Sequence, residues 1–261
     1  MRIAVASGKG GTGKTTVAVN LAYFNGVEIF DLDVEEPNAH VFLKGEEKIR
    51  NAYRKVPEVK DNCTGCGKCK EVCKFSAIYV IDKAYPLHEL CHSCGACAYF
   101  CPENAIEEVD RLTGKIVEVD SNPKLTYGVL EVGEASPVFL IKKVKELMGK
   151  TAIIDSPPGV ACPMVESVRD SDFVILVAEP SPFSLHDLRL AISVVEDLKI
   201  KFGVVINKHG LPFRIENYCR EDGIEIIGKI PFKREIAEKY SHGELLFEYS
   251  SLFRDIYSVI S

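Results

Sequence analysis

Long apolar runs are missing from this sequence of 261 residues. Its longest, such as FVILVA at 173–178, fall far short of the ~20 residues that a membrane-spanning helix needs. An excess of basic charge is missing too. The formal net charge is −6, which argues against a general nucleic-acid binder with a basic face. The start, MRIAVAS, lacks the apolar stretch of a secretory leader and passes straight into a glycine-rich loop. The expectation is a cytoplasmic protein with neither membrane nor nucleic acid among its partners. The six histidines form no metal motif.

Cysteine, by contrast, is abundant: ten in all, eight of them between Cys63 and Cys101. In a small secreted protein such a count means disulfides. In a cytoplasmic chain, clustered thiols more often bind metal. A hydrophobic fraction of 46% allows a sizeable core. The length suits one large α/β domain, or a domain of about 200 residues with a small insert.

Strand-like and helix-like segments alternate. RIAVAS (2–7), VEIFDLD (27–33), KIVEV (115–119), LTYGVLEV (125–132), TAIID (151–155), FVILVAE (173–179), FGVVIN (202–207) and IEIIGKI (224–230) read as strands. Helical spacing marks 14–24 through Val17, Leu21 and Phe24. It also marks 136–149, with Ser136 as cap, Pro137 in the first turn and Gly149 as stop. A further helix follows Ser184, which with Asp187 resembles a capping box. This order predicts an α/β fold with a mostly parallel sheet covered on both faces.

Residues 58–110 break the pattern and predict an inserted unit outside the main sheet, leaving 1–57 and 111–261 for the larger domain. The segment repeats at an offset of 28: Cys63, Cys66, Cys69 and Cys73 map onto Cys91, Cys94, Cys97 and Cys101, and Ala77-Ile78 onto Ala105-Ile106. Two copies of a cysteine loop, each followed by a short apolar element, have too little core unless metal supplies it.

The stretch GKGGTGKTT (8–16) sets Gly8, Gly13, Lys14 and Thr15 at the spacing of a phosphate-binding loop, between a strand and a helix. Gly8, Gly10, Gly11 and Gly13 free the backbone so that several N–H groups face one phosphate chain. The helix start at Thr15 and Thr16 adds a dipole that favours anions. Lys14 suits the β- and γ-phosphates of ATP, or the β-phosphate of ADP, and the Thr15 hydroxyl suits Mg²⁺.

With Lys9 and Thr12, the loop reads Lys-Gly-Gly-Thr-Gly-Lys-Thr and resembles the deviant Walker A motif of the MinD/ParA/Mrp ATPase superfamily, which includes the nitrogenase iron protein. The resemblance implies that Lys9 reaches the nucleotide of a partner in a homodimer and neutralises charge as an arginine finger does. It implies that Asp33 is a switch residue near the attacking water and Mg²⁺, with Asp31 beside it. Asp155 looks like the Walker B aspartate on Mg²⁺, and Ser156-Pro157-Pro158-Gly159 like the second switch. Asn207 is similar to the asparagine that reads adenine, with Lys208 next to it, and Pro231 lies in a second base-side segment.

The cysteine runs, Cys63-x-x-Cys66-x-x-Cys69-x-x-x-Cys73 and Cys91-x-x-Cys94-x-x-Cys97-x-x-x-Cys101-Pro102, resemble the bacterial two-cluster ferredoxin pattern. There the fourth cysteine of each run serves the other cluster. The implied sets are Cys63, Cys66, Cys69 and Cys101 for one [4Fe–4S] cluster, and Cys73, Cys91, Cys94 and Cys97 for the second. Two Cys₄ zinc sites are the alternative, although zinc ribbons need only paired Cys-x-x-Cys knuckles. Lys74 stands where ferredoxins have proline.

Cys162 lies seven residues past Asp155, at the offset of a subunit-bridging ligand in the nitrogenase iron protein, but the Cys-x-x-Cys pair of Mrp-type carriers is absent. Cys162 is expected to be a buried hydrophobic-type thiol and Cys219 a structural one. His92 is expected to be an exposed loop residue. The amphipathic tail 251–260 carries a single basic residue, Arg254, and is expected to dock on the domain rather than on a membrane. The whole chain resembles MinD-superfamily ATPases that carry an inserted ferredoxin domain. That resemblance implies slow ATP hydrolysis coupled to assembly or delivery of an iron–sulfur or metal cofactor to a protein acceptor, with electron supply. The alternatives are an ATP-gated electron donor and a ParA-like positioning switch whose clusters are structural.

Overall fold

Branched aliphatic runs form the strands, and apolar residues three and four apart form the helices. The computed structural model describes residues 1–261. It opens with β1 (Arg2–Ala6), α1 (Lys14–Asn25), β2 (Ile29–Asp31), β3 (Glu46–Val59), α2 (Lys68–Val72), β4 (Ile78–Val80) and β5 (Ala84–Pro86). Next come α3 (Ala96–Tyr99), β6 (Ile106–Asp120), β7 (Leu125–Leu130), α4 (Val138–Lys145), β8 (Ala152–Asp155), α5 (Cys162–Val168) and β9 (Phe173–Ala178). The chain ends with α6 (Pro182–Asp197), β10 (Lys201–His209), α7 (Ile215–Glu221), β11 (Ile226–Pro231), α8 (Arg234–Ser241) and α9 (Ser250–Ile260).

One nine-stranded sheet runs in the order β11-β10-β9-β1-β8-β2-β7-β6-β3. From β11 to β7 neighbours are parallel. The last two strands, β6 and β3, pair antiparallel. Successive residues of β1 point to opposite faces, as the pleat requires. Ile3 and Val5 enter one core with Val17 and Leu21 of α1 and Phe253 and Ile256 of α9. Ala4 and Ala6 enter the other, with Leu140 of α4, Met164 of α5 and Leu188 of α6. Helices on both faces explain why β8 and β9 are continuously apolar. The tail helix docks as expected: Phe253 and Ile256 are fully buried, each worth about 1.5–3 kcal/mol. No helix is long and apolar enough to cross a membrane.

Several local expectations need correction. The strand read at 115–119 is part of the fifteen-residue β6, and its fourteen-residue partner β3 has no counterpart in the sequence reading. The first six residues of β3 are all exposed, so no apolar alternation marks them. Residues 58 and 59, and 106 to 110, were expected outside the main sheet but belong to these two strands, with Val59 opposite Ile106. Helix α4 begins at Val138 with Pro137 in the cap position, not Ser136. Past Lys145 it tightens through i→i−3 bonds, Leu147 N–H to Val144 O and Met148 N–H to Lys145 O, before reaching Gly149. The cap of α6 is Ser181, followed by Pro182; its Oγ accepts from Ser184 N–H at 3.1 Å. Ser184 is therefore inside the helix, and its Oγ accepts from Glu179 N–H at 3.0 Å.

Register fixes where the cysteine segment sits. Ala52 lies opposite Gly114, which lies opposite Leu130, the last residue of β7. Beyond Leu130 only β3 and β6 continue, as a ribbon over Tyr53–Val59 and Ile106–Leu112. At about 3.4 Å per residue the ribbon projects roughly 24 Å. It leaves from the carboxyl edge of the parallel strands, the edge on which β1, β2 and β8 also end. At its tip, residues 60–105 fold around a small core of Cys69, Ile78, Ala84 and Ile106.

Candidate nucleotide and cysteine sites

The loop between β1 and α1 is shaped by contacts that exclude side chains. Gly13 has φ +90°, and a Cβ there would lie 2.1 Å from Asn207 Nδ2. At Gly8 a Cβ would lie 2.1 Å from the Asp187 carbonyl of α6. Gly10 and Gly11 face open space. The loop is tied from behind: Ser7 Oγ donates to Lys9 O at 2.8 Å, and Gly159 N–H donates to Ser7 O at 3.0 Å. Thr15 is half-buried and Thr16 buried at the start of α1.

Below the loop, Lys14 meets a set of carboxylates. Its Nζ lies 3.2 Å from Asp155 Oδ1, both side chains being buried. Burial works against the Lys14 ammonium, but the charges of Asp155, Asp33 and Asp31 outweigh it and raise its pKa. Burial, reinforced by Asp155, pushes Asp31 up to about 7. Asp31 is held by backbone: Oδ1 accepts from Asp33 N–H (3.0 Å), and Oδ2 from Asn38 N–H (2.9 Å) and Ala39 N–H (3.0 Å). It shapes the loop that carries Asp33. Burial likewise raises Asp33, to about 6, against the pull of Lys14. Asp155 Oδ2 and Thr12 Oγ1 are buried and have no partner within the chain. With Asp31 committed to the backbone, the spare Asp155 oxygen and the Asp33 carboxylate beside Lys14 are the donors that suit a divalent cation bound to phosphate.

Asn207 and Lys208 brace the loop from β10. Asn207 Nδ2 donates to Thr12 O at 2.7 Å, and its Oδ1 accepts from Lys208 N–H at 2.9 Å. A cleft of about 760 Å³, open to solvent, continues past Asn207 and is lined by Gly13, Thr16, Pro231, Phe232 and Tyr240. Lys9 does not point outward. Its Nζ lies 2.5 Å from Glu179 Oε1, while Lys208 Nζ lies 2.6 Å from Glu179 Oε2. The sequence reading missed Glu179, although it ends an apolar strand as Asp31 and Asp155 do.

The eight clustered cysteines fall into two groups. Cys63, Cys66, Cys69 and Cys101 line one pocket of about 310 Å³, with Pro102 beside them. Cys73, Cys91, Cys94 and Cys97 line a second, of about 400 Å³. The repeat at offset 28 extends to the backbone. Left-handed residues pair as Gly65 with Ser93, Gly67 with Gly95, and Ser76 with Asn104. N–H groups point at sulfur in the same register: Ala77 to Cys73 Sγ at 3.4 Å and Ala105 to Cys101 Sγ at 3.3 Å. All ten cysteines are free thiols, and no three His, Cys, Asp or Glu side chains converge as ligands of one metal ion. Burial pushes the Cys97 thiol up to about 11.

Cys219 is fully buried, as suits a structural thiol, but Cys162, expected to be buried, is exposed. It is the first residue of α5, whose inward positions are Met164, Ser167 and Val168. His92 is exposed and stacks on Phe75 at 3.8 Å, joining the two cysteine runs. A buried hub, also missed from sequence, joins the second run to the ribbon. Arg54 pairs with Glu134 at 2.7 Å and donates to the carbonyls of Cys91 (2.7 Å) and His88 (2.6 Å). Glu134 also accepts from Arg111 at 2.9 Å.

Known proteins carry related sequences and folds. An uncharacterized protein of Methanocaldococcus jannaschii is 36% identical over 262 residues, covering 96% of this chain and 91% of its own. An iron-sulfur cluster carrier protein of Aquifex aeolicus is 23% identical over 272 residues; the match covers 93% of this chain but only 60% of the carrier. Among solved structures, the septum site-determining protein MinD of Pyrococcus horikoshii, complexed with Mg-ADP, superposes with a TM-score of 0.60. That superposition covers 100% of this chain and 95% of MinD at 20% identity, a likeness of fold. The CobQ/CobB/MinD/ParA nucleotide binding domain matches residues 3–247, from β1 through the phosphate loop, the ribbon and Asn207 almost to α9, and the chain belongs to that family of P-loop proteins.

Proposed function

We propose that this chain is an ATP-gated iron–sulfur protein that assembles or delivers an iron–sulfur or metal cofactor, with electron supply, to a protein acceptor. It binds MgATP through Gly8–Thr16, with Thr15, Asp33 and Asp155 toward Mg²⁺, and hydrolyses it slowly as a homodimer. Asn207 and Pro231 lie on the base side. The observation that carries the reading is the grouping of eight thiols into two four-thiol pockets on a ribbon that leaves the nucleotide edge.

The donor set fits two [4Fe–4S] clusters. Each pocket takes three thiols from one run and the fourth from the other, the crossed arrangement of two-cluster ferredoxins. Backbone N–H groups are directed at Cys73, Cys91 and Cys101. A zinc ion takes thiolates about 2.3 Å from one centre, whereas a cube spreads them over its corners, and four thiols that line a pocket support the second. A core of four buried residues is small for a 46-residue unit, and bound metal is the usual supplement at this size. One-electron chemistry is what such clusters supply. The chain's own part is to hold the thiols, exclude water from the inner wall, and tie the second run to the sheet through Arg54.

The carrier similarity supports assembly or delivery. Electron transfer is the second reading, favoured because all eight ligands come from this chain and Cys162 has no Cys-x-x-Cys companion. The two part in one experiment. Anaerobic protein should contain about eight iron and eight sulfide per chain; iron-free, colourless protein refutes both readings. Iron-labelled protein is then mixed with an apo-ferredoxin acceptor and either ATP or a non-hydrolysable analogue. Label that moves only with hydrolysis supports delivery. Label that stays while the protein cycles between redox states refutes delivery and supports electron transfer.

A further inference from the structure

Glu179 is the one carboxylate at the carboxyl edge that faces lysines from both sides. Strands β10, β9 and β1 lie side by side, and each delivers one member of a cluster at its end: Lys208, Glu179 and, past β1, Lys9. Each carboxylate oxygen holds one ammonium, at 2.5 Å for Lys9 and 2.6 Å for Lys208. The backbone that carries it is fixed, since the Glu179 N–H donates to Ser184 Oγ at 3.0 Å inside α6. Burial opposes its charge, but the two lysines outweigh that and lower its pKa. Lys208 is further committed to the loop, donating to Gly11 O at 3.2 Å, and its own backbone is left-handed at φ 53°.

We infer that Glu179 is a positioning residue that parks Lys9 in the isolated chain and surrenders it only to a stronger anion, the triphosphate held by a second copy. The inference rests on the MgATP-binding homodimer proposed above. While Lys9 is bound to Glu179 it cannot extend away from its own chain. A polyphosphate carries more charge than one carboxylate and competes for the same ammonium. Lys208 keeps Glu179 from following Lys9, so the exchange moves a single side chain. Partly exposed ion pairs of this kind set a modest threshold, which suits a switch that must reset.

The test uses full-length chain and Glu179→Gln. The first readout is acylation of lysines by an N-hydroxysuccinimide ester, mapped by mass spectrometry without nucleotide. Lys9 in the variant should label several-fold faster than in the parent, with Lys239 and other distant lysines unchanged. Equal Lys9 labelling overturns the parking contact. The second readout is dimerisation with MgAMPPNP by analytical ultracentrifugation. The variant should dimerise about 3- to 30-fold more tightly, and adding Lys9→Ala should abolish the gain. Equal or weaker dimerisation of Glu179→Gln, or a gain that survives Lys9→Ala, overturns the inference. If labelling rises and neither protein dimerises although both bind MgAMPPNP, the homodimer reading fails and the intrachain contact stands. Should Glu179→Gln misfold, Glu179→Asp, which draws the carboxylate back by one methylene, is expected to raise Lys9 labelling in the same direction.

Discussion

Replacing Glu134 by leucine should be among the most damaging single changes outside the two cores. Arg54 and Glu134 are each 4% exposed and paired at 2.7 Å. Removing one partner of such a pair strands a buried charge, at about 3–5 kcal/mol. Arg54 would keep two acceptors, the carbonyls of Cys91 and His88, which places the loss near 3 kcal/mol. Arg111 is a third exposed and retains Glu89, so its change is screened by solvent. Arg54→Met is different: Glu134 keeps Arg111 and the His88 carbonyl keeps the Cys91 N–H, but the part-buried Cys91 carbonyl loses its Arg54 donor, at about 1–3 kcal/mol. The double variant removes the stranded charge while leaving the Cys91 carbonyl without its donor. It should therefore cost less than the sum of the singles, by at least about 1 kcal/mol. Urea unfolding followed by circular dichroism gives the three free energies, and hydrogen exchange at residues 88–91 shows whether the cysteine run loosens first. A loss under about 0.5 kcal/mol for Glu134→Leu, or strict additivity, would refute the description of the hub as a coupled buried pair.

Three further outcomes are expected. Asp31 and Asp33 have folded pKa values raised to about 7 and about 6. Raised acids stabilise the fold below their unfolded pKa and lose that contribution as pH climbs, so the nucleotide-free chain should lose stability between about pH 4 and 7. Asp31→Asn should flatten that slope in thermal melts across pH; a slope of the opposite sign would contradict it. Gly13→Ala forces a side chain into φ +90° and onto Asn207 Nδ2, and should weaken MgADP binding by about tenfold or more in calorimetry. Unchanged affinity would show that the loop tolerates the displacement. Stripping iron with a chelator should open residues 60–105 to proteolysis while nucleotide binding persists, because the segment packs in a cluster of only four buried residues, one of them Ile106 of β6, against 26 and 23 in the sheet cores. Cleavage that begins in the sheet instead would argue against a metal-dependent tip.

What was legible in the sequence was whatever obeyed local rules. Parallel strands buried on both faces, such as β8 and β9, announce themselves as unbroken aliphatic runs, and β1 is marked by the loop that follows it. The cysteine repeat was readable because ligand spacing is a local constraint. The ribbon was not, since β3 pairs along one edge only and presents Glu46–Asn51 to solvent, which leaves no periodic signal. Ser184 was mistaken for a cap because Ser181 and Pro182, three and two residues earlier, supply a better one. Glu179, Arg54 and Glu134 escaped notice for a further reason. Their partners lie 23 to 170 residues away, and only the sheet order brings them together.

The position of the cysteine segment follows from that sheet order. A connection between parallel strands must cross a face through a helix, so lengthening it disturbs a covered core. The β3–β6 hairpin is antiparallel and terminal in the sheet, and can grow at its tip without moving any parallel strand. Its growth direction is set by register, because Leu130 ends β7 opposite Gly114 while β3 and β6 run on past the carboxyl edge. The same edge carries the Asp33 loop, and the two are physically joined. Leu130 N–H donates to Val34 O at 2.8 Å, Glu131 N–H donates to Thr113 O at 2.9 Å, and three residues on Glu134 holds Arg54. A displacement of Val34 thus acts directly on the strand end from which the Arg54 hub is suspended. Spatial continuity alone does not establish energetic coupling. Hydrogen exchange at 88–93 with and without MgAMPPNP measures it: protection that changes in the parent but not in Glu134→Leu, with equal protection of the phosphate loop in both, would show that this hub carries the nucleotide signal. A change that persists in Glu134→Leu would place the route elsewhere.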